Sequence, residues 1–89
     1  MTNSKRTEKI LKALANHRRV EILMILRRKK DITVGEIAGA IHLSFKSTSR
    51  HLVVLAAAGI VEKEQINLEV YYELSSEMPV LARMIISSF

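Results

Sequence analysis

The chain is predicted to be mainly α-helical with one small β-hairpin, in the order four helices, hairpin, helix. Apolar residues recur at helical spacing up to about residue 57 and again over 77–89. Between them, residues 60–74 switch to a β-branched and aromatic, partly alternating pattern around Asn67. Two short helical segments, 34–41 and 45–57, are separated only by His42-Leu43-Ser44. Helices joined by a turn of about three residues form a helix-turn-helix, and a hairpin attached to one is a wing. With no linker, repeat or low-complexity stretch, residues 1–89 are expected to form a single winged helix-turn-helix domain.

Each element has a local cause. Ile10, Leu11 and Leu14 share one face of a helix over 5–15, and Asn16 is placed to cap the next. The second helix, 17–29, is expected to turn Val20, Leu23, Met24 and Leu26 inward, and its Arg27-Arg28-Lys29-Lys30 run suits a helix C-terminus. Asp31 breaks the pattern, and Ile32 offers a short strand. Thr33-Val34-Gly35-Glu36 spells a capping box, opening a helix whose Val34, Ile37, Ala38 and Ile41 form one buried stripe. Ser44 caps the 45–57 helix, with Thr48, Leu52 and Leu55 inward and Gly59 as its left-handed C-terminal residue. Strands over 60–65 and 68–74 follow, then a last helix over 77–89, capped by Ser75 or Ser76 with Pro79 in its first turn.

Composition narrows the function. An apolar share of 48% with three Gly and one Pro excludes disorder, and the absence of Cys excludes disulfides, zinc fingers, thiolate metal sensing and cysteine nucleophiles. No apolar run approaches a membrane span, and Met1-Thr2-Asn3-Ser4-Lys5-Arg6 lacks the apolar stretch of a signal peptide. A soluble, cytoplasmic protein with no membrane partner is expected. The net charge is +5, unevenly spread. Residues 1–30 hold ten basic and two acidic residues, net +8, whereas residues 62–89 carry Lys63 and Arg83 against five Glu, net −3. A basic chain of this kind suggests nucleic acid as its polyanion.

Several runs, in order and at matching spacing, resemble ArsR-type (ArsR/SmtB-like) winged-helix repressors. They are Leu14-Ala15-Asn16, Arg19-Val20-Glu21-Ile22-Leu23, Leu43-Ser44-Phe45-Lys46-Ser47-Thr48-Ser49-Arg50-His51-Leu52, Ala58-Gly59-Ile60-Val61 and Val70-Tyr71-Tyr72-Glu73-Leu74. The likeness covers about residues 8–74 without an internal gap. It implies a homodimeric transcriptional repressor whose terminal helices pair across a two-fold axis. Members sense metal ions through cysteines near the reading helices or through carboxylate and His ligands on the last helix. Here residues 34–41 hold no Cys, and residues 77–89 hold no His and only Glu77 as a carboxylate, so neither ligand set carries over. No metal and no cofactor is expected, and the inducer is unknown.

Base edges in the major groove are read by side chains near the N-terminal end of the inserted helix. Ser44, Lys46, Ser47, Ser49 and Arg50 lie on the first two turns there, off the inward line. Arg50 suits a bidentate contact to guanine; Lys46 suits a base or a phosphate. Ser44 and the free amides at the helix start suit a phosphate, and Ser49 is small enough for close approach. Phe45 stands where the family usually has a polar residue; its ring is expected to pack against the preceding helix, with a thymine methyl as the other partner open to it. Thr48 is expected to bond back to its own helix.

Lys63 is the wing's DNA-contact candidate, although Glu62, Glu64 and Glu69 surround it. Lys5, Arg6, Lys12, Arg18 and Arg19 are then the source of compensating charge. Leu11, Leu14, Leu81, Met84, Ile85 and Phe89 are expected to form a dimer seam, since they are many apolar residues for the ends of so short a chain. His51 is expected to be a packed, hydrogen-bonded residue, and His17 and His42 lack a second ligand at helical spacing. No nucleophile, base and orienting acid stand at catalytic spacing, so the chain is not expected to be an enzyme. The expected function is sequence-specific binding of double-stranded DNA at an inverted-repeat operator by a homodimeric repressor. The alternative is a winged-helix dimer that serves as a protein-interaction module, favoured by the acidic wing and Phe45.

Overall fold

Asn3–Leu14 (α1) and His17–Arg28 (α2) are followed by a two-residue strand, Ile32–Thr33 (β1). Then come Val34–Ile41 (α3), Phe45–Ala57 (α4), the hairpin Val61–Ile66 (β2) and Glu69–Leu74 (β3), and Val80–Ser87 (α5). The computed structural model describes residues 3–89; Met1 and Thr2, part of the N-terminal segment read above, lie outside them.

The helix starts follow from local hydrogen bonding. Asn16 Oδ1 accepts the Arg19 amide at 3.1 Å, which fixes the start of α2 with only Ala15 and Asn16 between it and α1. At α3 the capping box closes both ways: Glu36 N–H donates to Thr33 Oγ1 at 3.2 Å, and Thr33 N–H donates to Glu36 Oε1 at 2.9 Å. Ser44 Oγ accepts the Ser47 amide at 3.1 Å at the head of α4. The end of α4 is a Schellman motif: Ile60 N–H donates to Leu55 O, Gly59 N–H donates to Ala56 O, and Gly59 takes φ +76°. The end of α3 uses the same pair of bonds, Leu43 to Ala38 and His42 to Gly39, with His42 at φ 55° in the position that favours glycine.

The sheet has the order β1-β3-β2 and is antiparallel throughout. Ile32 lies opposite Tyr72, so the short β1 stitches the wing root to the helical body. Ile66 pairs with Glu69 across a two-residue turn, with Asn67 at φ 60°. Beyond Val61 the whole of β2 is exposed, so the hairpin projects from the body.

One hydrophobic cluster joins all five helices to the root of the sheet. Ile22 and Leu23 of α2, Ile37 of α3, Leu52 and Leu55 of α4, and Ile60 are fully buried at its centre. Three expectations are corrected. Met24 is 48% exposed, because Ile22, Leu23 and Leu26 already fill the inner face of α2. The last helix begins at Val80 with Pro79 as its N-cap residue, not at 77. Proline disfavours the helical region for the residue before it, and the preceding segment is instead a turn in which Ser75 Oγ accepts the Glu77 amide at 3.1 Å. Leu14, assigned to a dimer seam, is buried within the single chain.

Candidate nucleic-acid interface

α4 is anchored from below and open above. Thr48, Leu52 and Leu55, spaced i, i+4 and i+7, are fully buried. That fixes the outward direction of the intervening residues. Lys46 and Arg50 are exposed, one helical turn apart, and neither enters an ion pair among the described residues. Ser44 is exposed, and Ser47 and Ser49 are half-buried beside them. The Ser44 hydroxyl oxygen is engaged in the cap, yet its O–H is free to donate, and the amides of Phe45 and Lys46 precede the first internal helix bond. Polar donors, a guanidinium and an ammonium thus converge on the head of one helix that is held rigidly by its opposite face.

Two residues of α4 behave otherwise than expected. The Thr48 hydroxyl makes no hydrogen bond back to the helix; it is buried and has no partner among the described residues. Phe45 does not bury its ring against α3, because α3 spends its apolar stripe on the core and Phe45 occupies the outer side of the first turn of α4. It is 63% exposed. Its ring lines a groove between α4 and the wing, together with Gly35, Ser49, Val53, Lys63 and Leu68.

Charge on α2 is used differently from the expectation. Arg19 Nε donates to Ala13 O at 2.6 Å and Nη2 to Lys12 O at 3.1 Å, capping the C-terminus of α1, while Nη1 lies 3.1 Å from His51 Nδ1. Arg18 Nη1 donates to Ile41 O at 2.8 Å, at the end of α3, and to Glu21 Oε1 at 2.9 Å. Both guanidiniums, assigned above to compensating charge near DNA, are committed inside the protein. Apart from the Arg18–Glu21 pair at i, i+3 within α2, spacing along the chain gave no signal of this, since the carbonyl and ring partners lie on other helices. His51 is half-buried and hydrogen-bonded, as expected. Burial, then the nearby charges of Arg19 and Arg18, hold its pKa below the ordinary value of 6.5.

The wing sorts its charges by face. Strand residues alternate sides and opposed residues share one. Lys63 opposes buried Tyr72, whereas Glu62 opposes Glu73 and Glu64 opposes Tyr71. Lys63 therefore stands on the side of α4, and Glu62, Glu64 and Glu73 on the reverse side.

α1 packs on α5. Leu11, Met84 and Phe89 are 45%, 65% and 37% exposed, while Leu81 and Ile85 lie half-buried against the core. The chain has no Cys, α5 has no His, Asp or Glu, and among the described residues no three His, Asp or Glu converge. His17 sits 3.8 Å from Glu21, and His42 is exposed on the turn between α3 and α4. Among the described residues no helix is long and apolar enough to cross a membrane.

Comparison with known proteins agrees with this arrangement. The family model described as "Bacterial regulatory protein, arsR family" matches residues 16–63, which run from the cap of α2 to the start of the wing. The transcriptional activator HlyU of Vibrio cholerae is 38% identical over 74 residues, covering 83% of this chain and 68% of its own length. The structure of its reduced form superposes with a TM-score of 0.81 at 34% identity, over 97% of this chain and 86% of that one. The arsenic resistance transcriptional regulator ArsR1 of Pseudomonas putida is 34% identical over 79% of this chain and 55% of its own. The homodimeric winged helix-turn-helix DNA-binding domain of Mb0332 from Mycobacterium bovis has a TM-score of 0.82 at 30% identity, over 94% and 75%. The matched segment holds both helices of the helix-turn-helix and the exposed Lys46–Arg50 edge, and the chain belongs to the ArsR family of bacterial regulatory proteins, which are DNA-binding transcriptional regulators.

Proposed function

We propose that the chain is a sequence-reading repressor that acts in the cytoplasm as a homodimer and blocks a promoter by occupying an inverted repeat. One observation carries this reading: Lys46 and Arg50 are exposed and unpaired at the head of a helix whose opposite face, Thr48, Leu52 and Leu55, is locked in the core. Arg50 takes guanine O6 and N7, Lys46 and Ser47 take adjacent base edges or phosphates, and Ser44 with the first amides of α4 takes a phosphate. Ser49 permits close approach, and Lys63 touches the backbone from the wing.

Leu11, Leu81, Met84, Ile85 and Phe89 pair two copies through α1 and α5. The homodimeric Mb0332 domain supports that pairing by likeness. Two reading helices about 34–36 Å apart then match half-sites one helical turn apart. Lack of Cys in the chain and of His and carboxylates on α5 supports release by something other than a metal ion. HlyU is named an activator and SmtB of Mycobacterium tuberculosis a repressor. The sign of regulation is therefore tested by transcription in vitro from a promoter carrying the selected site.

Selection of binding sites from a random duplex library at two salt concentrations tests the reading. An enriched inverted repeat, bound less tightly as salt rises, supports it. Flat enrichment overturns it in favour of a protein-interaction module, the reading that the acidic reverse face of the wing favours.

A further inference from the structure

We propose that Phe45 is a specificity-determining residue that reads the 5-methyl group of a thymine beside the guanine taken by Arg50. The inference rests on α4 being the DNA-reading helix. Phe45 is the first residue of α4, directly after the Ser44 cap, and side chains at that end of an inserted helix reach base edges. Its ring is 63% exposed and belongs to no part of the core cluster. It continues along the helix as Phe45, Ser49 and Val53, spaced i, i+4 and i+8, with Val53 61% exposed. This stripe, apolar at Phe45 and Val53 with the small Ser49 between them, runs beside the cationic stripe of Lys46 and Arg50, one residue round the helix.

A phenyl ring can neither donate nor accept a conventional hydrogen bond, so it gains nothing from the amino, carbonyl or ring-nitrogen groups of the major groove. The one apolar group displayed there is the C5-methyl of thymine. Ser49, small and next along the stripe, leaves room for the ring to reach the groove floor. The two parallel stripes thus predict a half-site in which one A·T pair and one G·C pair are read from the first two turns of the same helix.

The test removes only the methyl group. Sites are selected in parallel from a random duplex library containing thymine and from one with deoxyuridine in every thymine position, using the wild-type protein and Phe45→Ala. The wild type is expected to prefer thymine at one position of each half-site. Deoxyuridine at that position should weaken binding about fourfold, the effect of burying roughly one methyl-sized group. Phe45→Ala should bind the two duplexes equally, keep the guanine preference set by Arg50, and melt within a few degrees of the wild type because the ring is exposed. Phe45→Leu should retain part of the methyl effect. Equal binding of both duplexes by the wild type, or an undiminished methyl effect in Phe45→Ala, overturns the inference while leaving the guanine preference standing. Loss of all sequence preference in both libraries overturns the DNA-reading assignment and the inference with it.

Discussion

Arg19 Nη1 lies 3.1 Å from His51 Nδ1, tying α2 to α4 while the same guanidinium caps α1. An arginine only donates, so His51 must present a bare Nδ1 and be neutral in this contact. Protonation would set two positive charges against each other in a half-buried site. Burial and Arg19 together keep the folded pKa below 6.5, so the unfolded chain takes up a proton before the folded one does. Stability is therefore fully present above about pH 6.5 and declines as pH falls towards the lowered folded pKa. Urea midpoints between pH 8 and pH 5 should show this decline in the wild type and a smaller one in His51→Gln. Arg19→Met, which also uncaps α1, should cost about 2 kcal/mol at neutral pH. An unchanged midpoint in Arg19→Met would refute the clamp.

Thr48 carries a hydroxyl that is fully buried and has no hydrogen-bond partner among the described residues. Desolvating such a group without compensation costs about 1–3 kcal/mol, and valine has nearly the same shape and the same branching at Cβ. Thr48→Val should raise stability by about 1 kcal/mol, seen as a rise in Tm of about 4–8 °C for a domain of this size. A fall in Tm would mean that the hydroxyl has a partner in solution, such as a water.

Signals that act over three or four residues were legible in the sequence. Asn16, Thr33 with Glu36, Ser44 and Gly59 all cap the helices that their spacing suggested. Asn67 turns the wing, and the outward positions of α4 follow from the inward line of Thr48, Leu52 and Leu55. What was hidden depends on partners distant in the chain. Arg18 reaches a carbonyl 23 residues away and Arg19 a ring 32 residues away, and no local pattern separates such arginines from free surface charge. Leu14 and Met24 were misassigned because helical periodicity marks an apolar face without saying how many neighbours cover it. The start of α5 was misplaced because the Pro79 restraint on Met78 outweighed the capping serines.

His42 ends α3 at φ 55° and ψ 48° with its side chain exposed. A residue with a Cβ pays for this left-handed conformation, and glycine does not. Glycine also loosens the unfolded chain, which offsets part of the gain. His42→Gly should therefore stabilise by about 0.5 kcal/mol, whereas His42→Val, stiff at Cβ, should destabilise by about 1–2 kcal/mol. Chemical denaturation of the pair decides: equal effects would show that the turn relaxes to another conformation.

Glu62 and Glu73 oppose each other across the hairpin on the face away from α4. Like charges directly opposite on a sheet repel, and an opposite pair contributes about 0.2–1 kcal/mol. Glu62→Lys replaces the repulsion with an ion pair on an exposed strand and should stabilise the protein by about 0.5 kcal/mol at low salt, fading as salt rises. The gain should disappear in a Glu73→Gln background, which a double-mutant cycle measures directly.

Arg50 is exposed one turn beyond Lys46, and its removal leaves the buried anchors of α4 untouched. Arg50→Ala should therefore fold as the wild type does and lose discrimination at one base pair, by about 1–3 kcal/mol. Lys63→Ala acts on the wing face beside α4, where the proposed contact is to the DNA backbone. It should weaken all sequences alike and reduce the salt slope of binding by about 1. Affinities for the selected operator and for single-base variants, measured over a range of salt concentrations, separate the two patterns. If Arg50→Ala weakens every sequence equally, Arg50 holds a phosphate, and guanine recognition passes to Lys46, the other free cation at the head of the helix.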